Sequence, residues 1–325
     1  MHISVIVCTY NRCDSLPTAL ESVAAQVLPP GVEWEVIVVD NNSQDQTRHV
    51  VERFCQSNLP GRFRYLFESR QGLSHARNAG IREARGEIVA FIDDDVTVGP
   101  DWLKNLTASL HGGEWAGAGG RIYPQRDFKP PYWFHIGGFL DVAGPLAVFD
   151  LGDVPGELKK PPYGTNMAFR KSLFDKYGAF RADLGHCGDN LIGNEDTEFG
   201  DRLMAGGERL RYEPSAVVYH PVPQERLSEK YLRAWWFAYG QAMVRQFGKR
   251  PPFWGIPRHY LSIFSRTLRW MFTFDRKRRF WWKTRIWMSA GEVVEIYRPS
   301  FATAAPQTQS VDKSPRSSIT HRANP

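Results

Sequence analysis

The amino-acid sequence predicts an α/β protein built on a mostly parallel sheet flanked by helices. Over the first 95 residues, short apolar runs typical of strands alternate with segments whose apolar residues recur at helical spacing. Two of these runs, "VIVVDNNS" and "EIVAFIDDD", end in acidic and amide residues. Ligands of open α/β sheets bind beyond the carboxyl ends of the strands, so the pattern predicts one ligand-binding edge.

The individual elements follow from this alternation. The predicted strands are "ISVIVCTY", "WEVIVVDNNS", which ends its apolar run at Asp40, "FRYLFES" and "EIVAFIDDD". The predicted helices between them are "DSLPTALESVAAQ", "DQTRHVVERFCQ" and "GLSHARNAGIREA". Further along the chain, "NEDTEFGDRLMAGG" predicts a helix that Asn194 caps and Gly206 ends.

Composition places the chain among globular proteins. Its 325 residues, 42% of them hydrophobic, suffice for one large domain or two small ones. The four cysteines are few and irregularly spaced, which favours reduced thiols over a disulfide framework or a zinc ribbon. The first apolar run is shorter than that of a signal peptide, and no stretch approaches the roughly 18 apolar residues of a spanning helix. We therefore expect a cytoplasmic protein, with peripheral attachment to the cytoplasmic face of the membrane as the alternative.

Asp93, Asp94 and Asp95 form the most informative short motif. A turn needs one such residue, whereas three adjacent carboxylates repel one another unless a cation neutralises them. Mg²⁺ and Mn²⁺ prefer oxygen ligands and commonly take one or two carboxylates together with substrate phosphates. The triplet therefore predicts a Mn²⁺ or Mg²⁺ site. Arg70 and Arg77, just before the acidic strand, either hold phosphate oxygens or are ordinary solvated charges.

A second acidic pair, Glu195 and Asp196, follows Asn194 in the first turn of the predicted helix. The helix dipole favours acids at this position, so the pair needs no other role. If the metal site exists, however, a general base is the part still missing for a displacement at a phosphate-activated carbon. Both interpretations stay open from the residues alone.

Five motifs follow one another in order over roughly residues 1–245. They are "VIVCTYNR", "VIVVDNNSQDQT", "GLSHARNAGIREARGEIVAFIDDD", "GTNMAFRKSLFDKYGAF" and "GNEDTEFGDRLMAGG". Each is weak alone, but the ordered series resembles family 2 glycosyltransferases, which have the GT-A fold, use nucleotide sugars and invert the anomeric centre. Where that family often has a second acid after the aspartate of the second strand, this chain has Asn41.

The resemblance implies a donor site at the strand ends. Asp40 would accept a hydrogen bond from the base, typically uracil. In the acidic triplet, Asp93 would lie near the ribose and Asp95 would ligate Mn²⁺ or Mg²⁺. The remaining residues that the resemblance assigns to the nucleotide pocket are Thr9, Tyr10, Asn11, Arg12, Arg77 and Asp94.

The resemblance also implies an acceptor side. Glu195 and Asp196 match the acid pair of the family, with Asp196 as the general base that takes the proton from the acceptor hydroxyl. Asn166, in "GTNMAF", would approach the donor sugar and the acceptor. His220, in "VVYHPVP", would complete the metal or diphosphate site, although a lone histidine after a strand is as often structural. The implied reaction moves a sugar from a UDP-linked donor to a hydroxyl of a glycan or lipid-linked acceptor.

The predicted domains are a catalytic domain, a C-terminal extension and a tail. Residues 1–100 would form the nucleotide-binding half of the catalytic domain and 101–245 its acceptor half. Residues 246–300 would be a basic, aromatic helical extension, and 301–325 a disordered tail poor in large apolar groups.

The extension has an unusual composition. Residues 249–300 hold 12 Lys or Arg against 3 Asp or Glu, and five of the 11 tryptophans. The segment from Tyr260 to Phe272 predicts an amphipathic helix. Its apolar face either packs on the catalytic domain or lies in an anionic membrane surface with Trp at headgroup depth, as expected for a lipid-linked acceptor.

Three other functions compete with that of a glycosyltransferase. A non-catalytic nucleotide-sugar-binding protein would need no base, which the presence of both Asp95 and Asp196 disfavours. A nucleotidyltransferase would share the fold and the metal but would not use an acceptor-side base. The basic extension could bind nucleic acid through stacked Trp and Arg, but the acidic edge of the sheet disfavours it, so no nucleic-acid partner is predicted.

Overall fold

The computed structural model of the protein describes residues 2–57, 61–125, 128–249, 254 and 257–298. The strands are β1 (His2–Thr9), β2 (Glu33–Asp40), β3 (Phe63–Phe67), β4 (Ile88–Asp93), β5 (Thr97–Val98), β6 (Gly117–Pro124), β7 (Gly156–Glu157), β8 (Met167–Arg170) and β9 (Leu210–His220). The helices are α1 (Leu16–Ala24), α2 (Thr47–Ser57), α3 (Leu73–Glu83), α4 (Trp102–Thr107), α5 (Ser172–Tyr177), α6 (Glu195–Ala205), α7 (Glu229–Phe247), α8 (Arg258–Met271) and α9 (Arg276–Ile296). The predicted disordered tail at 301–325 lies outside the described residues.

The strands of the described residues form one sheet in the order β3-β2-β1-β4-β8-β6-β9-β5, with β7 paired to β9. The four strands predicted from the first 95 residues pair in parallel. Beyond β4 the sheet is mixed, because β8 runs antiparallel to both β4 and β6 whereas β6 and β9 are parallel. From β1 the chain continues outward through β2 to β3 and then returns to β4, which lies on the other side of β1. The strand order therefore reverses between β1 and β4. This is where open α/β sheets bind ligands.

Strand periodicity sends alternate side chains to opposite faces of the sheet. Val5 and Val7 of β1 join a core with α1, α2 and α4, whereas Ile6 between them joins a second core with α3, α5 and α6. The sheet is therefore covered on both sides, which explains why β1, β2 and β4 read as nearly continuous apolar runs.

The predicted boundary between catalytic domain and extension, at residue 245, falls inside α7. Helix α9 crosses α7 so closely that a Cβ at Gly240 would overlap the carbonyl oxygen of Met288, and one at Gly291 would overlap that of Phe237. Arg245 of α7 also pairs with the buried Glu295 of α9 at 2.7 Å. Helix α9 thus packs directly on the acceptor half.

Segment 128–149 completes the acceptor half by packing on the same two helices. Phe134, Leu146 and Trp236 belong to one buried cluster, against which Phe280 and Trp287 of α9 are packed. None of the described helices is both long and apolar enough to cross a membrane.

Candidate active site

A cleft of about 550 Å³ opens beyond the carboxyl ends of β1 and β4. The register of the sheet explains which side chains meet there, since Cys8 pairs with Asp93 and Thr9 with Asp40 across β1. Most of the predicted site residues line this cleft: Thr9, Tyr10, Arg12, Arg77, Asp93, Asp94, Asp95, Glu195, Asp196 and His220. The donor-side and acceptor-side predictions therefore meet in one place.

Asp95 and His220 lie side by side because a short antiparallel ladder holds them. Strand β5 begins two residues after Asp95 and pairs Thr97 with Tyr219, which immediately precedes His220. Asp95 Oδ1 lies 3.8 Å from His220 Nε2. Burial lowers the pKa of His220, against the opposing charge of Asp95, and so favours the neutral imidazole that can ligate a metal.

Asp95 and His220 fit a divalent cation that takes most of its ligands from substrate and water. A carboxylate oxygen and a neutral imidazole nitrogen face each other, while no group of three or more His, Cys, Asp or Glu converges among the described residues. Mg²⁺ and Mn²⁺ sites of this kind are completed by phosphate oxygens and water. The neighbouring Asp94 is less suited to a ligand role, since burial and then the charge of Asp95 raise its pKa to about 7.

Sequence reasoning missed Arg226, which also lines the cleft. Its Nη2 lies 3.7 Å from Asp95 Oδ2 and its Nη1 lies 3.3 Å from His220 Nε2. The residue belongs to a short 3₁₀ segment, Gln224–Leu227, between β9 and α7. Its guanidinium group thus supplies positive charge at the pair that fits a metal ion. No periodicity or spacing in "HPVPQERL" signals this position.

Glu195 is held by Arg77 in a buried ion pair. Arg77 Nη1 donates to Glu195 Oε1, and Arg77 Nη2 lies 3.7 Å from Asp93 Oδ1. A Cβ at Gly164 would overlap the guanidinium group, so a glycine is needed for this close approach. Burial and the adjacent Asp196 raise the pKa of Glu195 despite the opposing charge of Arg77. For Arg77, burial works against the charged form, but Glu195 and Asp93 outweigh it and raise the pKa.

Asp196 is oriented by the main chain rather than by a cation. Its Oδ2 accepts from Gly164 N at 2.6 Å, and its Oδ1 accepts from Thr197 N at 2.6 Å. The side chain is half-buried and lines the cleft. It is the better placed of the two acids to receive a proton, since Glu195 is already paired.

The predicted cap of this helix is wrong in its detail. Asn194 has a left-handed backbone, with φ of 72°, and its side chain makes no capping hydrogen bond. Asparagine tolerates this conformation better than most residues. Its amide instead donates to Gln246 Oε1 of α7 at 3.3 Å, which ties the start of α6 to α7.

Asn166 also differs from its predicted place. Its side chain is fully buried, where Oδ1 accepts from Trp102 Nε1 at 2.9 Å and Nδ2 donates to the carbonyl oxygens of Arg121 and Ala216. These bonds use both ends of the amide inside the sheet, so the side chain does not reach the cleft. The preceding residues, Gly164 and Thr165, line it instead.

Asp40 and Asn11 lie beside the cleft and shape its edge. Asp40 is buried, and its carboxylate accepts from Tyr65 OH at 2.8 Å and from Ser43 N at 3.0 Å. Asn11 Oδ1 accepts from Gln44 N at 2.7 Å. Together they fasten the loop after β2 to the end of β1. Neither side chain lines the cleft in this structure.

Asn41, which stands where a second acid was expected, organises the next loop. Its Nδ2 donates to the carbonyl oxygen of Arg70 at 2.7 Å, and its Oδ1 accepts from Gly72 N at 2.7 Å. The Arg70 side chain pairs with Glu68 at 2.9 Å and does not line the cleft. Of the two interpretations of Arg70, the solvated charge fits, since its side chain is 57% exposed.

An aromatic wall on the acceptor side was also missed by sequence reasoning. Tyr163, Tyr231, Trp235 and Tyr239 all line the cleft, and the last two rings stack at 5.3 Å with an angle of 10°. Trp235 and Tyr239 stand four residues apart on α7, which puts them on one helix face. Flat aromatic surfaces of this kind suit the apolar face of a sugar ring.

Comparison with known proteins identifies the family. Residues 4–178, more than half of the chain, match the model of glycosyl transferase family 2. The chain belongs to this family. It is 31% identical over 254 residues to the succinoglycan biosynthesis protein ExoM of Rhizobium meliloti (strain 1021), a match that covers 77% of this chain and 76% of ExoM. It is also 30% identical over 250 residues to a glucosyl-dolichyl phosphate glucuronosyltransferase of Haloferax volcanii, covering 75% and 77% of the two chains.

Solved structures agree on the fold. The mannosyltransferase PcManGT of Pyrobaculum calidifontis, solved with GDP-Man and Mn²⁺, aligns with a TM-score of 0.62 and 23% identity over 91% of this chain and 87% of that one. GalNAc-T7, solved with UDP, GalNAc and Mn²⁺, aligns with a TM-score of 0.56 and 14% identity over 88% and 54%. The predicted family, the GT-A fold class and the assignment as a glycosyltransferase that uses nucleotide sugars are confirmed.

Proposed function

We propose that this glycosyltransferase moves a sugar, with inversion, from a UDP-linked donor to a hydroxyl of a lipid-linked glycan acceptor, with Mn²⁺ or Mg²⁺ at Asp95. The observation that carries the proposal is the arrangement of the cleft. A carboxylate–imidazole pair that fits a cation and a separately oriented carboxylate, Asp196, line the same space. A protein that only binds nucleotide sugars needs the pair that fits a cation but has no use for a carboxylate placed as a base.

The donor binds at the ends of β1, β2 and β4. Thr9, Tyr10 and Arg12 line the cleft there, and Asp93 offers a half-exposed carboxylate to the ribose hydroxyls. Asp40, which is buried beside the cleft, supports this site from behind, since its hydrogen bonds to Ser43 N and Tyr65 OH hold the loop after β2.

Asp95 and His220 would hold the cation, which would supply Lewis-acid stabilisation of the negative charge on the departing diphosphate. Arg226 changes partner when donor and cation bind. Its guanidinium group turns from Asp95 to diphosphate oxygens, with which it can form paired hydrogen bonds.

Asp196 takes the proton of the acceptor hydroxyl. The amides of Gly164 and Thr197 hold its carboxylate in place while leaving lone pairs available. Glu195 stays paired with Arg77 and so keeps the first turn of α6 in position. The hydroxyl oxygen attacks the anomeric carbon from the side opposite the diphosphate, so the product has the inverted configuration.

The proposed acceptor is lipid-linked, which is supported by the relative from Haloferax volcanii, whose name specifies a dolichyl phosphate substrate. An enzyme that uses such an acceptor has to act at a membrane surface. We therefore place the protein at the cytoplasmic face of an anionic membrane, attached peripherally through residues 249–300. The free thiols of Cys8, Cys13, Cys55 and Cys187 support a reducing compartment.

A screen of nucleotide sugars with Mn²⁺ or Mg²⁺ tests the proposed function. We expect hydrolysis of a UDP-linked sugar, which requires the metal, and transfer when a lipid-linked glycan is added. Proton NMR of the product gives the anomeric configuration. Hydrolysis of GDP-linked sugars alone would overturn the choice of base. Binding of UDP with no turnover of any donor would favour a binding protein, and formation of a nucleotide sugar from a sugar phosphate would favour a nucleotidyltransferase.

A further inference from the structure

Helix α8 turns its apolar residues away from the protein. Tyr260, Phe264, Leu268 and Met271 recur at helical spacing and are all exposed, Phe264 to 65%. None of the residues of α8, every one of which the structure describes, is fully buried. A surface helix of a globular protein normally packs its apolar stripe on the core. Within the described ranges, no segment of the chain covers this stripe.

The side of α8 that faces α9 makes partly buried polar contacts. Arg266 donates to the carbonyl oxygen of Arg285 at 3.0 Å and to the hydroxyl of Ser289. Arg269 lies over the ring of Trp282, with 5.1 Å between the guanidinium carbon and the ring centroid. These contacts fix the rotation of α8 and hold its apolar stripe outward.

The apolar surface continues beyond the end of α8. Phe272 and Phe274, in the turn that leads into α9, are 73% and 93% exposed. The acceptor half adds Tyr132 and Phe139, which are 67% and 81% exposed. A surface made of large exposed side chains from two distant parts of the chain is unusual for a soluble monomer and marks an interaction site.

Contacts with the first turns of α9 join the two parts. Arg276 Nη1 donates to Tyr132 OH at 2.9 Å, and the ring of Phe139 lies 5.1 Å from that of Trp281. Trp281 in turn contacts Trp282 at 4.5 Å. These tryptophans are half-buried and join the two parts, so we expect the more exposed phenylalanines to insert more deeply.

Basic side chains surround this surface. Arg269, Arg276, Lys277 and Arg278 are all exposed at the end of α8 and the start of α9, and the acid nearest to them in sequence, Asp275, accepts from Arg278 N to cap α9. A second copy of the chain would bring the same positive charge against itself, which disfavours self-association. Anionic lipid headgroups complement this charge.

We propose that this surface, the outward side of α8 with Phe272 and Phe274 and the segment 132–139, inserts its phenylalanines into the interface of an anionic bilayer. The basic side chains around it contact lipid phosphates. The proposal deepens the proposed function and rests on it for the identity of the acceptor. Segment 128–149 runs from this surface to Gly144, Pro145 and Ala147 in the cleft wall. A lipid-linked acceptor therefore reaches Asp196 from the bound membrane.

Sedimentation with phosphatidylcholine vesicles, with and without phosphatidylglycerol, tests the proposal. The combined change of Phe264, Phe272 and Phe274 to Gln should weaken binding to the anionic vesicles at least tenfold, at low and at high salt. Phe139→Gln, in the distant segment, should also weaken it. Phe67→Gln on β3 is the matched control, since Phe67 is 52% exposed outside this surface and should bind as the unchanged protein does.

Charge is tested separately. Changing Arg276, Lys277 and Arg278 to Gln should weaken binding at low salt and have little effect at high salt, where the attraction is already screened. Equal binding to neutral and anionic vesicles, or unchanged binding of the triple phenylalanine variant, would overturn the proposal. So would light scattering that shows a dimer which the same variant dissociates, because the surface would then be an interface between copies.

The same variants separate this proposal from the proposed function. Each should retain metal-dependent hydrolysis of the UDP-linked donor, since none of the altered side chains lines the cleft. The triple phenylalanine variant should also keep its melting temperature, since Phe264, Phe272 and Phe274 are exposed. If vesicle binding follows the expected pattern while no donor is hydrolysed by the unchanged protein, the surface stands and the proposed function fails. If donor and soluble acceptor are turned over but vesicles do not bind, the proposed transfer reaction stands, whereas this surface and the proposed membrane attachment fail.

Discussion

Two acidic residues of the cleft each face an arginine, and the two pairs differ in how tightly they are held. Asp95 Oδ2 lies 3.7 Å from Arg226 Nη2, and the Arg226 side chain is 22% exposed on a short 3₁₀ segment. Glu195 contacts Arg77 directly, with both side chains only 4% exposed. Phe180 lies 5.6 Å from the Arg77 guanidinium carbon. The first pair can separate into solvent, whereas the second cannot.

This difference assigns the acids to different tasks. A carboxylate that is to accept a metal ion has to give up its present counter-ion at little cost, which the loose pair of Asp95 and Arg226 allows. Breaking a buried pair leaves one charge without compensation in a medium of low polarity, and costs several kcal/mol. We therefore propose that Glu195 is a structural counter-ion and that Asp196 is the acid that exchanges a proton.

Removing the loosely held acid should have the largest effect. We expect Asp95→Ala to abolish metal-dependent transfer and to remove the increase in UDP affinity that Mn²⁺ produces, because the cation loses its carboxylate ligand. Calorimetric titration of UDP with and without Mn²⁺ measures this. Asp101→Ala, an exposed acid at the start of α4, is the control and should behave as the unchanged protein. An unaltered Mn²⁺ dependence in the Asp95 variant would refute the metal assignment.

Asp196→Asn should separate chemistry from binding. The amide can still accept one of the main-chain hydrogen bonds, so UDP and Mn²⁺ should bind as before, while transfer slows by about 10²–10⁴ because the general base is lost. Single-turnover rates and calorimetry on the same preparation measure both quantities. Loss of UDP binding together with the rate would mean that Asp196 is structural, as the helix-dipole interpretation allows.

Glu195→Ala should act mainly on stability. It leaves Arg77 buried with the more distant Asp93 and Asp196 and without its direct partner, so the free energy of unfolding should fall by about 3–5 kcal/mol. Urea denaturation followed by tryptophan fluorescence measures the change. Glu52→Ala is the comparison, since Glu52 pairs with Arg48 on the exposed face of α2 and should cost about 0.3–0.5 kcal/mol. Equal losses in the two variants would contradict the assignment of Glu195 as a tightly held counter-ion.

The parts of the site that the sequence predicted are those encoded locally. Strands β1, β2 and β4 are apolar runs whose ends carry Thr9, Asp40 and Asp93, and parallel pairing aligns those ends without further information. The identity of Glu195 and Asp196 as site residues came from the family resemblance, but their division into counter-ion and base depends on Arg77 and the main chain of Gly164. Those contacts span more than 30 residues of sequence.

The parts that sequence reasoning missed depend on distant partners. Asn166 is of a residue type that often binds ligands. The hydrogen bonds of its side-chain amide with Trp102, Arg121 and Ala216, however, form only once the sheet assembles. The apolar stripe of α8 was predicted correctly. Whether it faces the protein is set by the contacts of Arg266 with α9, which no helical periodicity reveals.

The smallest expected effect tests the loose pair itself. Arg226→Ala removes a cation that competes with a metal ion for Asp95, so Mn²⁺ should bind more tightly in the absence of nucleotide. A gain of about 1 kcal/mol, roughly fivefold in affinity, is expected for one partly solvated charge near 4 Å. With UDP present the gain should vanish or reverse, because the variant also loses a donor to the diphosphate. Arg226→Lys keeps the charge and is the control. Mn²⁺ binding is followed by electron paramagnetic resonance of the free ion. Weaker binding of Mn²⁺ to the alanine variant without nucleotide would show that Arg226 orients Asp95 instead of competing for it, and the two arginines of the cleft would then both be permanent counter-ions.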